Sequence, residues 1–510
     1  MKYILILLFF TSFNLNAQKR NYIWCFGDSA GIDFTNISNP IPIISANESR
    51  GTCASICDTS GKPLFYAYAP HVSLWQSGYL RLGVIKSKND SIMANGDSLI
   101  GDAWYHEMII IPMPGNDSLF YLFTVGVSLA PDYGLWYSII NINANGGLGE
   151  VLLKNMQLQN FPMVDCLTAI KHGNGRDWWL VFRRWYQNVQ PTNEFFTYLI
   201  SHVGITNFNI QMVGATHQAN SGQLTLSHDG NKLLFTNLSD LIEIMDFDRC
   251  TGILSNPVII QPANPPQSVH YTWSSAFSPN DSVLYISAIK DTSYLYQFDL
   301  TAPNILASRI TLDTLYLPPV SGGALKLALD GKIYFSCAYD NGVQFNYPYA
   351  DSMYNNVNMY LSVINNPNNL GTACNYASFS FCLGGKRTYY GLPNNPDYDM
   401  PALTGSPCDT LTGIANIEQG ISKAELFVTW VSDWQKLFVN AQHLKGKKVT
   451  VEVFDVAGKN LTGCCHAEVR GISQNSYFTK DIFLPNLAAG MYVVKLQTEK
   501  EMLAKKFVVE

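Results

Sequence analysis

Three observations predict an all-β fold for this chain of 510 residues. Tyr (28) and Phe (27) are plentiful, Gly (37) and Pro (24) recur along the chain, and no Ala-, Glu-, Lys- and Leu-rich blocks of the kind that form long helices occur. Only 14% of the residues are charged. Because the chain is too long for one ordinary core, we expect several domains or one large repetitive domain.

The first 17 residues have the pattern of a secretory signal peptide. Lys2 precedes an apolar run that is too short to span a bilayer and that ends on a small residue, Ala17. We expect cleavage between Ala17 and Gln18, and no Cys follows that bond as a lipid anchor would require. No later segment has about 20 uninterrupted apolar residues. We therefore expect a mature protein without a transmembrane segment.

One pattern, an apolar strand followed by a tight polar turn and an aromatic strand, recurs along residues 54–392. LTLSHDGNKLLFTN shows it most clearly, and we interpret its His228 and Asp229 as residues of a hairpin turn. Second strand pairs, such as Leu135–Val151, lie between the hairpins, so each unit holds about four strands and cannot bury both faces alone. The seven turn residues are 50 to 59 positions apart: Gly61, Asn116, Gly175, Gly230, Asp281, Gly331 and Gly385. The repeat predicts a seven-bladed β-propeller over residues 18–400.

The two ends of the repeat region complement each other. The last hairpin, Ser378–Leu392, has no second strand pair after it, whereas Asn21–Phe34 has the pattern of a second pair without a hairpin before it. We therefore expect the N-terminal strands to close the seventh blade. The 11 Cys of an exported chain make disulfides plausible. A bridge at the closure would come from the set Cys25, Cys374, Cys382 and Cys408.

The C-terminal part of the chain differs from the repeat region. Alternation is lost after Pro393, and we assign residues 401–423 to a linker. Short strands return with WQKLFVNA, KKVTVEVFDVAGKNL, YFTKDIFLPNLAAGMYVVKLQTEK and LAKKFVVE. These segments predict a small immunoglobulin-like β-sandwich over residues 424–510.

The segments VTVEVFDVAGKNL, LPNLAAGMYVVKLQTEK and KKFVVE resemble the type A-like C-terminal sorting domain of cargo of the type IX secretion system of Bacteroidota. The Pro-Asn-Pro usual near the start of that domain is absent, and VSDWQ stands in its place. The resemblance implies that the secretion machinery is a partner and that the chain crosses the periplasm and the outer membrane. It also implies removal of the domain, followed by release or attachment to the cell surface. ASICDTSGKPLFY, GGLGEVLLKN, FSPNDSVLYIS and LYQFDL resemble the repeat region of large secreted proteins of the same lineage, which implies no reaction.

Charge and motif spacing exclude several classes of function. The formal net charge of −6 and the lack of a basic cluster longer than Lys445–Lys448 argue against a nucleic-acid partner. His106–Glu107 lacks the second His of a zinc protease, and no Gly-x-Ser-x-Gly or phosphate loop occurs. We expect no catalytic residue, no metal and no other cofactor.

The loops that lead into the innermost strands of a propeller converge on one mouth of the central channel. The candidate ligand-binding residues at this mouth are Arg50, His106, Glu107, Asp165, Asn220, His270, Tyr271 and Trp273. The alternative is that they are polar only because such loops meet water. We predict an exported cell-surface or secreted protein that binds or adheres to a glycan or protein. The alternative function is a hydrolase or lyase acting on polysaccharide at the channel mouth, which a cluster of acidic or His side chains there would favour.

Overall fold

The computed structural model describes residues 19–509. The exceptions are residues 71–82, 102–103, 105, 127–132, 188, 265–270, 317–318, 340–353, 410–423, 432–434, 443, 445–447, 457, 462–464 and 469–476. The predicted signal peptide with Ala17 and Gln18, and the candidate residue His270, lie outside the described residues. The chain divides into two compact units, Met1–Thr412 and Gly413–Glu510. Within the described ranges, no helix is long and apolar enough to cross a membrane.

The first unit begins with a five-stranded antiparallel sheet that combines two groups of strands. Its strands, in spatial order, are β1 (Ile23–Phe26), β2 (Asp28–Asp33), β3 (Ile41–Cys57), β4 (Pro63–Pro70) and β5 (Val84–Ser87). The first half of β3 pairs with β2, and its second half pairs with β4. Strand β3 therefore serves as the last strand of one group and as the first strand of the next.

Five four-stranded antiparallel sheets follow, each with its strands in chain order. Their strands are β6 (Met108–Pro112), β7 (Leu119–Gly126), β8 (Gly134–Asn141) and β9 (Glu150–Gln159); β10 (Met163–Lys171), β11 (Trp178–Arg184), β12 (Thr192–Ser201) and β13 (Gly204–His217); β14 (Gly222–Leu226), β15 (Lys232–Asn237), β16 (Ile242–Asp248) and β17 (Ile253–Gln261); β18 (Tyr271–Phe277), β19 (Val283–Ile289), β20 (Thr292–Asp299) and β21 (Ile310–Tyr316); and β22 (Val320–Leu327), β23 (Ile333–Tyr339), β24 (Tyr360–Ile364) and β25 (Tyr376–Cys382). Short 3-10 helices lie at Asn145–Gly147, Leu306–Ser308 and Gly371–Cys374.

The turns explain why these hairpins form where the sequence predicts them. Gly61, Gly175, Gly230 and Gly331 have left-handed φ between 74° and 94°, which glycine adopts without a steric penalty. Asp281 takes the same conformation at φ 57°. Six of the seven predicted hairpins are present, as β3–β4, β6–β7, β10–β11, β14–β15, β18–β19 and β22–β23.

The first strands of successive sheets are neighbours. Strand β3 contacts β6, β6 contacts β10, and the series continues through β14 and β18 to β22. Small sheets that meet through their first strands form the blades of a β-propeller around a central channel. We call these first strands the inner strands. The side of the propeller where they begin is the upper face, and the side that carries their hairpin turns is the hairpin face.

The seventh predicted hairpin, Ser378–Leu392, is not formed. Tyr376–Cys382 pairs with β24 as the outer strand of its sheet, so Gly385 follows a finished sheet and does not join two new strands. Alternation of apolar and polar residues in SFSFC predicts a β-strand, but it does not tell which neighbouring strand pairs with it. The same pattern therefore fits an outer strand and the first strand of a hairpin equally well. The residues after this strand enter the channel instead of forming another hairpin.

Residues 387–409, which we call the axial segment, run through the channel. Gly391 N–H donates to the Arg50 carbonyl at 3.2 Å, and Asn394 N–H donates to the Cys53 carbonyl at 2.8 Å. Leu403 N–H donates to the Gly173 carbonyl beyond the end of β10. Residues 391–396, 398 and 400 are buried. Of the predicted linker over residues 401–423, residues 401–409 belong to the first unit and contact the propeller through Leu403 and Cys408, while residues 410–423 lie outside the described part.

A disulfide attaches the end of the axial segment to the propeller. Cys408 is bonded to Cys250, 158 positions away, in the turn between β16 and β17. Cys25, Cys374 and Cys382 are free thiols, so the predicted bridge within the set at the closure is wrong. Its premise was the seventh hairpin, which would have placed Cys382 and Cys25 in one blade. The structure places β25 and β1 in different sheets.

The second unit consists of two antiparallel sheets. One sheet has the order β26 (Glu425–Val431), β27 (Lys436–Gln442) and β30 (Tyr477–Phe483). The other has the order β29 (Cys465–Glu468), β28 (Lys448–Asp455), β31 (Gly490–Thr498) and β32 (Met502–Val509). Leu437 and Val439 of the first sheet share one apolar core with Val451, Val494 and Leu496 of the second. The second unit is thus a small β-structured region in which two sheets pack around one core.

Candidate functional site

The carboxylates of the predicted mouth are engaged between inner strands. Glu107 is fully buried and accepts a hydrogen bond from the Thr52 hydroxyl. Asp165, also buried, accepts one from Ser221 Oγ at 3.0 Å, and its N–H donates to the Asn220 carbonyl at 2.7 Å. Each of these contacts joins one sheet to the next. The two carboxylates therefore connect blades at the upper face, and a substrate there would meet them already hydrogen-bonded.

His106 is buried in the same layer. It forms a β-bridge with Cys166, and its Nδ1 lies 3.4 Å from Gln223 Nε2. Burial, with a smaller contribution from the nearby positive charge of Lys326, lowers the pKa of His106 to about 3. The imidazole is therefore neutral at physiological pH, and it can serve as a hydrogen-bonding group but not as a cation.

Arginine and aromatic side chains form a contiguous cluster at the centre of the upper face. The Arg50 guanidinium carbon lies 3.9 Å from the centre of the Trp104 ring and 5.3 Å from that of Tyr390. The Trp273 ring lies 5.3 Å from the Tyr390 ring at an angle of 50°. Arg50, Trp104 and Tyr390 are half-buried and Trp273 is buried. We call these four residues the mouth cluster.

The structure separates the predicted mouth residues into two groups. Arg50 and Trp273 meet in the mouth cluster, whereas His106, Glu107, Asp165 and Asn220 belong to contacts between inner strands. Tyr271, 41% exposed, lies outside both groups, with Lys290 Nζ 5.2 Å from its ring centre. Trp104 and Tyr390 are not among the predicted mouth residues. Trp104 lies only two positions before a candidate residue, while Tyr390 was assigned to a hairpin that is not formed.

A cavity of 540 Å³ extends along the channel beside the axial segment. Inner strands β10, β14, β18 and β22 line one side, and residues 392–401 of the axial segment line the other. His228, predicted as a turn residue, lies in the β14–β15 turn and also lines this cavity, with Nδ1 4.0 Å from Asp397 Oδ2. The His228 side chain is 57% exposed, so the cavity reaches solvent at the hairpin face.

Lys326 of β22 lines the cavity. Its Nζ donates to the Asn395 carbonyl at 3.1 Å and lies 5.6 Å from the centre of the Trp24 ring. Burial lowers the pKa of Lys326 to about 8, against a smaller opposing effect of Cys53 and Asp397. Among the residues that the structure describes, no group of three or more His, Cys, Asp and Glu side chains could hold a metal ion.

Comparisons with known proteins identify the second unit. Residues 435–510 match the family described as the secretion system C-terminal sorting domain. The chain is thus a cargo of the type IX secretion system, exported across the outer membrane to the cell surface or the extracellular space, as its C-terminal motifs predict. No curated protein shows significant similarity to the chain.

Several solved structures are similar to the chain at low identity. A periplasmic gluconolactonase of Pseudomonas aeruginosa is 12% identical, with 80% of this chain and 97% of that chain covered and a TM-score of 0.34. Sqt1 of Saccharomyces cerevisiae is 10% identical, with 83% and 93% covered and a TM-score of 0.34. The β-propeller domain of Cps50 (Swd1) from Myceliophteria thermophila is 11% identical, with 62% and 93% covered and a TM-score of 0.30.

Proposed function

We propose that the exported chain is a non-catalytic binding protein that recognises an extracellular glycan through the mouth cluster of a closed, seven-bladed propeller. The observation that carries this proposal is the contiguous stack of Trp104, Arg50, Tyr390 and Trp273 at the centre of one face. The carboxylates of the same face are engaged between blades.

Seven blades require a closing blade built from both ends of the propeller. Asp28 N–H donates to the Arg387 carbonyl at 2.9 Å, and Arg387 Nε donates to Asp28 Oδ2 at 2.8 Å. Nine positions further along the axial segment, the Pro396 carbonyl accepts from Asn21 Nδ2 at 2.9 Å. These contacts run antiparallel. They support a blade in which the axial segment takes the innermost place and β1, β2 and the first half of β3 form the other strands.

The apolar core beside β1 supports the same closure. Trp24 and Phe26 of β1 belong to one buried cluster with Tyr334 and Leu361 of the last four-stranded sheet. Tyr66 of β4 belongs to this cluster as well. Strand β1 thus packs between the last and the first blade, which is the position that ring closure requires. Closure by N-terminal strands was predicted, although with a hairpin where the structure has the axial segment.

The chemistry of the mouth cluster suits a sugar. Aromatic rings offer flat apolar surfaces to the C–H faces of a pyranose, and a guanidinium donates several hydrogen bonds in a fixed plane to hydroxyl or carboxylate oxygens. Stacking of Arg50 on Trp104 holds that donor fork in place before a ligand arrives. Pre-ordering lowers the conformational entropy lost on binding.

Cleavage of a polysaccharide would need groups that this face uses otherwise. Glycoside hydrolysis generally requires two carboxyl groups that flank one bond. Glu107 is fully buried against Thr52, and Asp165 is held by Ser221. The engagement of both carboxylates supports binding over the alternative of a hydrolase or lyase.

A glycan array probed with the full exported chain, followed by calorimetric titration of the best glycan, tests the proposal. We expect Trp104→Ala and Tyr390→Ala each to weaken binding about tenfold or more, because loss of one stacking aromatic ring removes about 1.4 kcal/mol or more of binding free energy. Tyr316→Ala is the matched control, since Tyr316 is 67% exposed on the outermost strand β21. Unchanged affinity in both mouth variants, or release of shortened sugars by the wild type, would refute the proposal.

A further inference from the structure

Lys326 is a cation that lines the cavity inside the channel. An ammonium group has three hydrogen-bond donors, and the Asn395 carbonyl takes one of them at 3.1 Å. The Trp24 ring lies 5.6 Å from Nζ on another side. Within the described part of the chain, no Asp or Glu oxygen lies within 4.0 Å of this nitrogen. The remaining donors are available to the cavity.

Such a position destabilises the free protein. Lys326 is half-buried, so its ammonium loses part of its hydration, and a backbone carbonyl restores only part of that loss. Burial lowers the pKa of Lys326 to about 8, which still leaves most of the molecules charged at neutral pH. Ala324, two positions before Lys326 on β22 and so on the same face of the strand, belongs to one apolar cluster with Trp24, and an apolar residue would suit the position of Lys326 as well. A charge kept at such a position points to a binding role, because sites commonly retain destabilising groups for function.

The cavity around Lys326 has the size and chemistry of a small-ligand site. Its 540 Å³ lies within the range of about 300–1,000 Å³ typical of such sites. Thr168 lines it with a hydroxyl group, and Leu226 and Phe277 line it with apolar surface. Gln223 and Ser275 also line it, but they are hydrogen-bonded to each other, since Ser275 N–H and Oγ both donate to Gln223 Oε1. Near Lys326 the wall thus combines a cation with neutral hydrogen-bonding groups.

The charges at the other end of the cavity restrict where an anion can lie. Asp397 and Asp399 line the cavity further along the axial segment, and His228 stands beside Asp397 at the hairpin face. Carboxylates repel an anion from that end, which leaves the surroundings of Lys326 as the favourable position. His106, neutral in this environment and in contact with Gln223 Nε2 through its Nδ1, adds no charge near that position.

We propose that the axial cavity is a second ligand site, in which Lys326 binds the carboxylate of a small hydroxylated acid while Thr168 binds one of its hydroxyl groups. This site is separate from the mouth cluster and does not depend on the function proposed for it. The carboxylate could belong to a free sugar acid or to the terminal residue of an acidic polysaccharide, and the two sources share the chemistry that Lys326 recognises.

Calorimetric titration of the full exported chain with glucuronate, glucose and a short oligomer of galacturonate tests this site. We expect glucuronate to bind about tenfold or more tightly than glucose, because only the acid pairs with the ammonium. Lys326→Gln should remove this preference, whereas Lys62→Gln, a change of an exposed lysine in the β3–β4 turn, should leave it intact. Glucuronate binding places the source among free acids, and binding of the oligomer alone places it at a chain end.

Two further measurements distinguish loss of the site from misfolding of the variant and from binding at the mouth cluster. The wild-type affinity for the acid should fall as pH rises above about 8, where Lys326 loses its proton. This test needs no variant, so a misfolded Lys326→Gln chain would not leave the site untested. Trp104→Ala should keep full binding of the acid, which distinguishes this site from the mouth cluster. Equal binding of the acid by wild type and a folded Lys326→Gln variant, or no binding of either acidic probe, would overturn the proposal.

Discussion

The two sides of the propeller channel differ in what the inner strands contact: the axial segment packs on one side, and a cavity lies along the other. Along β6 and β10, the axial segment contacts the inner strands: Asn394 Nδ2 donates to the Met108 and Leu167 carbonyls at 2.9 Å each, and the Tyr398 hydroxyl donates to the Ile110 carbonyl at 2.8 Å. Along β14 and β18 the inner strands face a cavity instead, while β10 and β22 line the cavity and also contact the axial segment. Backbone groups of an inner strand need partners on either side. The filled side therefore provides stability, and we assign the open side to binding.

Releasing the end of the axial segment should disturb the filled side most. In the double variant Cys250→Ser, Cys408→Ser, loss of a bridge across 158 positions should lower the free energy of unfolding by about 5 kcal/mol, through the larger entropy of the unfolded chain. Denaturant unfolding measures the change. Cys382→Ser is the control, because Cys382 is an exposed free thiol and its replacement should have little effect. An unfolding free energy equal to that of the wild type would show that the bridge does not hold the segment.

A single side chain on the filled side should have the next largest effect. Asn394→Ala leaves two carbonyls without their donor, which should destabilise the fold by about 2–3 kcal/mol. Asn369→Ala serves as the control, since the exposed Asn369 side chain makes one 3.3 Å contact with the Ala373 carbonyl. Thermal unfolding of both variants gives the comparison. Equal melting temperatures would contradict a structural role for the axial segment.

The sequence revealed the hairpins but not the segment that fills their channel. Asp229-Gly230 between alternating strands is a local signal, because its partners lie within a few residues. Asn394 instead bonds to strands 227 and 286 positions away, and such contacts leave no period in the sequence. Pro393 and Pro396 interrupt the alternation, which made a buried segment resemble a linker. Pro and Asn suit such a segment, because its backbone does not pair residue by residue with a neighbouring strand.

The sequence predicted where the inner strands begin, but not in which direction their polar side chains face. Counting back from the turns located the starts of the inner strands, and Arg50 and Trp273 do lie in the mouth cluster. Whether a polar residue faces solvent or the next blade depends on how neighbouring inner strands are aligned. That alignment turns Glu107 toward Thr52 and Asp165 toward Ser221. The spacing of residues within one strand does not predict this alignment between strands.

Replacement of Lys326 on the open side should have the smallest effect on stability, and this effect should depend on pH. The pKa of Lys326 is about 8 in the folded chain and about 10.5 when the chain unfolds, so the unfolded chain binds more protons between these values. Wild-type stability relative to Lys326→Met should therefore be constant below pH 8 and rise as pH increases from 8 to 10.5. Unfolding of both proteins across this range measures the difference. A flat difference would mean that the ammonium is not desolvated.

Hydrogen exchange of residues 387–409 in the intact chain tests most directly the claim that this segment fills the channel. The amides of Gly391, Asn394 and Leu403 donate to carbonyls of the propeller. We predict that peptides covering them exchange as slowly as peptides from β10 and β14, and that exchange accelerates in Asn394→Ala. Exchange at the rate of an unstructured chain would show that the segment is a linker, and would leave the channel empty and the closure of the propeller without its innermost strand.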